Sequence, residues 1–373
     1  MKIKEIPSKL NRFLYSATPT HRLAKILYEE LKSRIKRPAS QVTTSMELKK
    51  LIGDYSIPED YVLLSLDVSA LFTNVSLELV LASLDKRWHT LFASILPFDV
   101  IRDLTIFLFE NTYFVFNDIF YRQKYGTPMG SPISQLFADV VMDDLETFCL
   151  SELKKHQCNP IFYFRYVDDT VICVKREHID LVLKTFNVYD KNLQFTHEIE
   201  KDGALNFLDI SLIRDGSGLI TDWYRKPTNT TRILAFDSRH TAQQKKNIVF
   251  NLVDRAVLLA DHRFHNKNLI YVKNILRLNG YPEKFSNENI SLRLREIKHR
   301  SGGRVRRLSD SEPLRVIQLP WINGFFPRCQ SMLKRYGIST LPVKSRGLAS
   351  MIRLGKDKMD KMGKNGGCLL IQV

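Results

Sequence analysis

Three acidic residues in two apolar settings are the groups in this chain best placed to do chemistry. Asp67 closes the apolar run Tyr61–Val68. Asp168 and Asp169 stand between residues 162–167 and 170–174, two runs with the β-branched and aromatic composition of strands. Two such runs with two residues between them predict a β-hairpin with Asp168-Asp169 as its turn. Asn-Gly or Asp-Gly would serve a plain hairpin better, because those residues tolerate positive φ. Adjacent like charges cost repulsion unless a cation neutralises them. Hard divalent ions such as Mg²⁺ take carboxylate oxygens and bring substrate phosphates with them, so the chemistry expected is metal-dependent phosphoryl transfer. Nucleotide addition asks for a 3′ hydroxyl, an α-phosphate and a leaving pyrophosphate in line, with two metal ions on the attacking and leaving oxygens. On this reading Asp67 and Asp168 are the main ligands and Asp169 an auxiliary, provided that their strands are neighbours. The backbone after Asp67 would cradle the triphosphate, and Phe72 would lie under the incoming sugar. Asp67 alone favours a turn cap, the commoner role of a strand-end aspartate; the three together are more specific.

The elements that must position these groups are legible as patterns. Leu23, Ile26, Leu27 and Leu31 recur at helical spacing after Thr18-Pro19-Thr20. Residues 77–88 and 100–110 repeat that spacing, and residues 113–116 and 119–122 flank Asn117-Asp118 as a second hairpin. The loop Gly126-Thr127-Pro128-Met129-Gly130-Ser131-Pro132 precedes a helix, with Ser131 expected as N-cap, Pro132 at the first helical position, and a buried face of Ile133, Leu136, Phe137, Val140 and Val141. A helix over 179–187, strands over 195–199 and 207–213, and a turn at Asp215-Gly216-Ser217 before Gly218-Leu219-Ile220 follow. This order predicts an α+β layer, an antiparallel sheet with helices on one face.

Composition sets the outer bounds. The 373 residues have a hydrophobic fraction of 44% and an aromatic fraction of 10%, enough for a real core and two or three units. Five cysteines without a Cys-x-x-Cys pair predict reduced thiols. No signal peptide and no membrane-spanning stretch are legible. The net charge of +16 is uneven: residues 221–373 hold 30 basic and 11 acidic side chains, leaving the first 220 slightly acidic. A carboxylate-rich catalytic part followed by a basic part that tracks a polyanion accounts for this, and so does a solvated basic surface. In residues 238–255, Lys245, Lys246 and Arg255 alternate with apolar Ile248, Val249, Leu252 and Val253, one face to bury and one to meet a phosphate backbone. Such binding would depend on salt and not read sequence; a helix-turn-helix over 240–300 is the competing reading. Arg304-Val305-Arg306-Arg307 suits a nuclear localisation signal or a solvated linker.

Leu66-Asp67-Val68-Ser69-Ala70-Leu71-Phe72, residues 126–132 and Tyr166-Val167-Asp168-Asp169 resemble polymerase motifs A, B and C of reverse transcriptases, in order and suitably spaced. Leu205-Asn206-Phe207-Leu208-Asp209-Ile210 is similar to the primer grip that follows them. More narrowly, residues 224–232 and 236–240, with Leu319-Pro320-Trp321, residues 333–338 and Lys356-Asp357-Lys358, resemble the reverse transcriptase of Penelope-like retroelements. The resemblance implies a right-hand polymerase: partial fingers over 1–60, a palm over 61–235, a helical basic thumb over 236–300 and a linker and connector over 301–373. It implies catalysis by Asp67, Asp168 and Asp169 with two Mg²⁺ or Mn²⁺ ions. Phe72 would be a steric gate favouring dNTPs, and Gly130 and Ser131 would position template and nascent base pair. Tyr166 would lie near the primer end, Arg12 would match the last basic fingers position, and Arg225 and Lys226 would meet nucleic acid. The implied partners are an RNA template and a DNA primer, the implied setting a retrotransposon acting at chromosomal DNA in the nucleus, with the cytoplasm as alternative. Two departures stand out. Only about sixty residues precede Asp67, and no GIY-YIG endonuclease follows the connector. A truncated element is therefore the expectation, with an inactive relic that only binds nucleic acid as the alternative function.

Overall fold

The computed structural model describes residues 19–88, 96–116, 119–128, 130–301, 316–320, 325–336 and 338–343. Chain contacts divide it into two compact units, the first running to Ile297 and the second from Lys298.

The first unit opens with α1 (Pro19–Lys32) and α2 (Ser45–Ile52). Helix α1 buries Ala24, Leu27 and Leu31, whereas Ile26, expected inward, is exposed. Thr44 caps α2 by accepting from the Glu47 amide. Strand β1 (Tyr61–Val68) then leads into α3 (Leu71–Asn74) and α4 (Leu77–Lys86). Helix α5 (Phe98–Glu110), the hairpin β2 (Tyr113–Phe116) and β3 (Ile119–Arg122), and the long α6 (Ser134–Lys155) follow. After β4 (Phe162–Tyr166) and β5 (Asp169–Lys175) come α7 (Ile179–Val188) and β6 (Phe195–Ile199).

Four of these strands form one sheet in the order β4-β5-β1-β6, antiparallel throughout. Alternate β1 residues serve two cores. Leu64, Leu66 and Val68 join α1, α4, α5, α6 and α7 in one apolar cluster, while Leu63 packs with Phe162, Phe164 and Val171 in the other. That second cluster continues into β7 (Ala204–Phe207), β8 (Ile210–Asp215) and β9 (Gly218–Trp223), a three-stranded antiparallel sheet. The single strand expected over 207–213 is thus two strands. Phe207 pairs with Ile210, and Leu208 takes a positive φ of 52° in the two-residue turn between them.

Three basic helices follow, α8 (Ala242–Leu258), α9 (His265–Leu278) and α10 (Glu283–Ser301), the last running past Ile297. Thr241 and Gln244 form a capping box at the start of α8. In the second unit, β10 (Val316–Pro320) and β11 (Ser339–Val343) pair in parallel around α11 (Phe325–Lys334). Among the described residues no helix is long and apolar enough to cross a membrane.

The observed architecture is therefore α+β, as the pattern predicted, with antiparallel sheets and helices packed on them.

Candidate active site

Strand register brings two of the three carboxylates together. The β1/β5 ladder ends at Leu66 opposite Thr170. Asp67 and Asp169 are each the next residue beyond that last pair, so both fall at the same end of the ladder. Asp168 stands beside them at the hairpin tip. The charges feel one another: burial, then the Asp168 charge, raises the Asp67 carboxyl above its ordinary range. Burial, then Asp168 and Asp67, pushes Asp169 up to about 6. Lys226, exposed just beyond β9, opposes both shifts.

The hairpin turn differs by one residue from the sequence expectation. Tyr166 pairs with Asp169, so the two loop residues are Val167 and Asp168, and Asp169 opens β5. Val167 takes a positive φ of 57°, an outlier for a β-branched residue. The turn needs one left-handed residue, and the chain supplies it without a glycine.

The segment after Asp67 is stitched to the loop before α6. Ala70 is left-handed at φ 52° and ψ 51°, and α3 follows as a single turn. The Ser69 amide donates to the Gln194 carbonyl at 2.9 Å and the Thr73 amide to Ala70 at 3.1 Å, which leaves Ala70–Phe72 as the stretch available for a phosphate cradle. Phe72 is half-buried against the core; its carbonyl accepts from the Thr127 amide at 2.7 Å and the Thr127 hydroxyl at 3.0 Å. Gly126 makes that approach possible: its φ is +79°, and a Cβ there would stand 2.5 Å from the Phe72 oxygen.

Ser131 is not the N-cap. Helix α6 begins at Ser134, and Ser131 is buried with no hydrogen-bond partner for its hydroxyl among the described residues. The Pro128 carbonyl accepts from the Ser131 amide at 3.0 Å and from the Ser134 hydroxyl, and these bonds hold residues 130–133 in turns that postpone the helix. Gly130 is exposed at φ +80°.

Beneath the hairpin lies a group that the sequence reading passed over. Arg165 of β4 is fully buried and bonds to Asp139 and Glu146, both on α6. Ser40 donates to the other Glu146 oxygen at 2.6 Å. Burial raises both carboxyls against the pull of Arg165. The available signal was charge inside apolar runs: an arginine in Phe162-Tyr163-Phe164-Arg165-Tyr166, and two acids seven residues apart on an otherwise apolar helix face.

The remaining expected residues lie apart from the carboxylates or in other roles. Tyr166 is half-buried at the end of β4. Arg225 is held between the Trp223 and Tyr271 rings, 4.9 and 4.0 Å from their centroids, and donates to Asn268, so packing occupies it. Lys245 and Lys246 lie over the Phe236 and Phe250 rings, each at 4.9 Å. Arg255, exposed on α8, pairs at 3.7 Å with Asp209 in the β7–β8 turn. Arg12 and Arg304–Arg307 lie outside the described residues.

Among the described residues no three His, Cys, Asp or Glu side chains stand ready in metal-ligand geometry. The donor chemistry nonetheless fits a hard divalent ion: three carboxylates at one end of a sheet, two of them raised by burial and by the charge of Asp168.

The sequence model of the reverse transcriptase (RNA-dependent DNA polymerase) family matches residues 16–204, just over half of the chain. The chain belongs to this family. The reverse transcriptase match contains Asp67, Asp168, Asp169 and the whole loop that leads into α6. A second model, the animal helix-turn-helix domain, matches residues 232–291, over α8 and α9. No curated protein sequence matches the chain. Among solved structures, a telomerase from Candida albicans in complex with a fragment of telomeric RNA is similar at 14% identity, over 72% of this chain and 47% of that one, with a TM-score of 0.49. The RNA-dependent RNA polymerase of a human picorbirnavirus is similar at 14% identity, over 74% of this chain and 54% of that one, with a TM-score of 0.47. The chain spans about half the length of these two proteins.

Proposed function

We propose that the chain is an RNA-directed DNA polymerase, transferring dNTPs onto a primer 3′ end on an RNA template. The observation that carries this is that Asp67, Asp168 and Asp169 lie together at the end of the β1/β5 ladder and feel one another's charge, inside the family-matching segment. Two Mg²⁺ or Mn²⁺ ions held there would stabilise the attacking and leaving oxygens. The chain's own residues supply position. Asp67 and Asp168 hold the charge that draws the ions, and Asp169 supports them. The Phe72 ring would exclude a 2′-hydroxyl, and the Thr127 bonds to its carbonyl hold the backbone that carries it. Gly130, Ser131 and Tyr166 border the template and primer path, and Arg12 would add a fingers cation.

The basic helices over 236–300 serve in this reading as a thumb that holds an RNA–DNA hybrid through phosphates, with Lys245, Lys246 and Arg255 foremost. Residues 1–60 act as fingers, 61–235 as palm and 301–373 as connector. The Penelope-like resemblance of residues 224–240 supports a retrotransposon origin and a nuclear site of action.

Primer extension on poly(rA)/oligo(dT) with Mg²⁺ or Mn²⁺ tests the proposal, wild type beside Asp168→Asn. Extension by wild type alone is expected. Extension by both would overturn the metal-site assignment. Extension by neither, with the duplex still bound at low salt, would leave an inactive nucleic-acid binder.

A further inference from the structure

We infer that Arg165 is a positioning residue: it pins the left-handed Val167 turn that presents Asp168 and Asp169, and ties that turn to helix α6. The inference deepens the proposed function and shares with it only the metal.

The guanidinium makes three separate connections. One terminal nitrogen donates to the Val167 carbonyl at 2.9 Å, and the same nitrogen reaches Asp139 at 3.2 Å. The Nε–H donates to Glu146. The backbone of Arg165 is equally committed, its amide donating to the Ser40 carbonyl at 2.9 Å and its carbonyl accepting from the Val42 amide at 2.8 Å. Gln41 then donates to Asp139 at 3.1 Å. Three elements therefore meet at one residue: β4, α6 and the segment 40–42, the last through the Arg165 backbone and the two acids.

Burying an arginine with two acids is a poor way to gain stability, since apolar residues of similar volume commonly do as well. What the charged group adds is direction. A planar fork has donors on fixed vectors, so it can hold a carbonyl and a carboxylate at once, which an ammonium on a flexible stem does not do. The carbonyl it holds belongs to Val167, the one residue of the turn with positive φ. Strained backbone of this kind persists only where its surroundings over-determine it. Arg165 supplies that restraint two residues before the strained position and three before the first acid of the pair. Because α6 carries both acidic partners and begins directly after the 126–133 loop, the same contact sets the height of the carboxylate turn against that loop.

The test is a cycle of four full-length chains: wild type, Arg165→Lys, Val167→Gly and the double variant. Lysine keeps a positive charge for Glu146 but loses the fork, so a mere counter-charge role predicts recovery and a positioning role does not. Mn²⁺ binding is followed by electron paramagnetic resonance, and urea midpoints are taken without metal. Losing a positioning partner of a metal site weakens metal affinity by about 10- to 100-fold, and that loss is expected for Arg165→Lys. Glycine accepts φ of 57° without strain, so Val167→Gly should recover most of the loss, and the urea midpoints should be non-additive. Wild-type Mn²⁺ affinity in Arg165→Lys, or an equal loss with and without Val167→Gly, would overturn the inference. Should wild type bind no Mn²⁺, the proposed function fails, and the metal-free urea cycle still decides: additive midpoints reject the pin, coupled midpoints support it. Should Arg165→Lys not fold, Arg165→Met with Glu146→Gln removes both charges and enters the same cycle.

Discussion

Replacing Gly126 by alanine isolates the contact that joins the two loops of the site. The added Cβ would meet the Phe72 oxygen at 2.5 Å, Thr73 Cα at 2.6 Å and Thr73 carbonyl carbon at 2.7 Å. All three are backbone atoms and cannot rotate away. Ordinary contact begins near 3.5 Å, so the loop must retreat by about 1 Å. That stretches the Thr127–Phe72 bond, now 2.7 Å, past hydrogen-bonding distance. Three costs add. A left-handed alanine costs about 1–2 kcal/mol, overpacking about 1–3 kcal/mol and the lost bond about 1 kcal/mol. Gly216→Ala is the control: its φ is +62° but nothing lies within 4 Å of a Cβ, so only the first cost applies. In urea unfolding Gly126→Ala should therefore lose roughly 2–4 kcal/mol more than Gly216→Ala. Its selectivity for dNTP over rNTP should also fall, because Phe72 moves with the loop. Equal midpoints for the two variants would refute the reasoning.

Two further outcomes follow from charge. Asp169 is raised to about 6 from 3.8, so between those values the folded chain keeps a proton that the unfolded chain has released. Metal-free stability should fall as pH rises from about 4 to about 6, by no more than about 1 kcal/mol once solvent screening at this half-exposed turn is allowed for. Asp169→Asn should remove that step, and a wild-type-minus-variant difference constant across urea midpoints from about pH 4 to 7 would contradict it. On the basic helices, Lys246→Ala should weaken hybrid binding equally for all sequences and reduce the salt slope by about 1. A loss confined to particular sequences would instead favour the helix-turn-helix reading of residues 232–291.

The local elements were legible because each carried a strong period or a sharp punctuation. Strand Tyr61–Val68 and the 195–199 strand came out at their observed bounds, and so did the strands around Asn117-Asp118, whose turn lies outside the described residues. Misreadings fell where backbone bonding overrode composition. Ser131-Pro132 has the residue types of a helix start, yet bonds to the Pro128 carbonyl delay the helix to Ser134. Residues 207–213 are apolar in alternation, and no glycine announces the left-handed Leu208 that folds them into two strands. The carboxylates could be chosen from the sequence, but only register shows that β1 and β5 are neighbours whose ladder ends just before Asp67 and Asp169. Arg165 was legible only as a charge inside an apolar run, and its contacts were not. Its partners lie 19 and 26 residues away on α6, a separation that no local pattern reports.

The backbone bonds of Arg165 also bear on how the sheet ends. Strand β4 is one of the two outer strands of the four-stranded sheet, and an uncovered outer strand presents amides and carbonyls to any other extended chain. Here both the amide and the carbonyl of Arg165 are already taken by Ser40 and Val42, with Gln41 bridged alongside in parallel. Residues 40–42 act as a short guard strand laid across the rim beside the carboxylate turn. A second copy cannot add to the sheet at that level without first displacing them, so the rim nearest the reacting groups is closed to strand exchange.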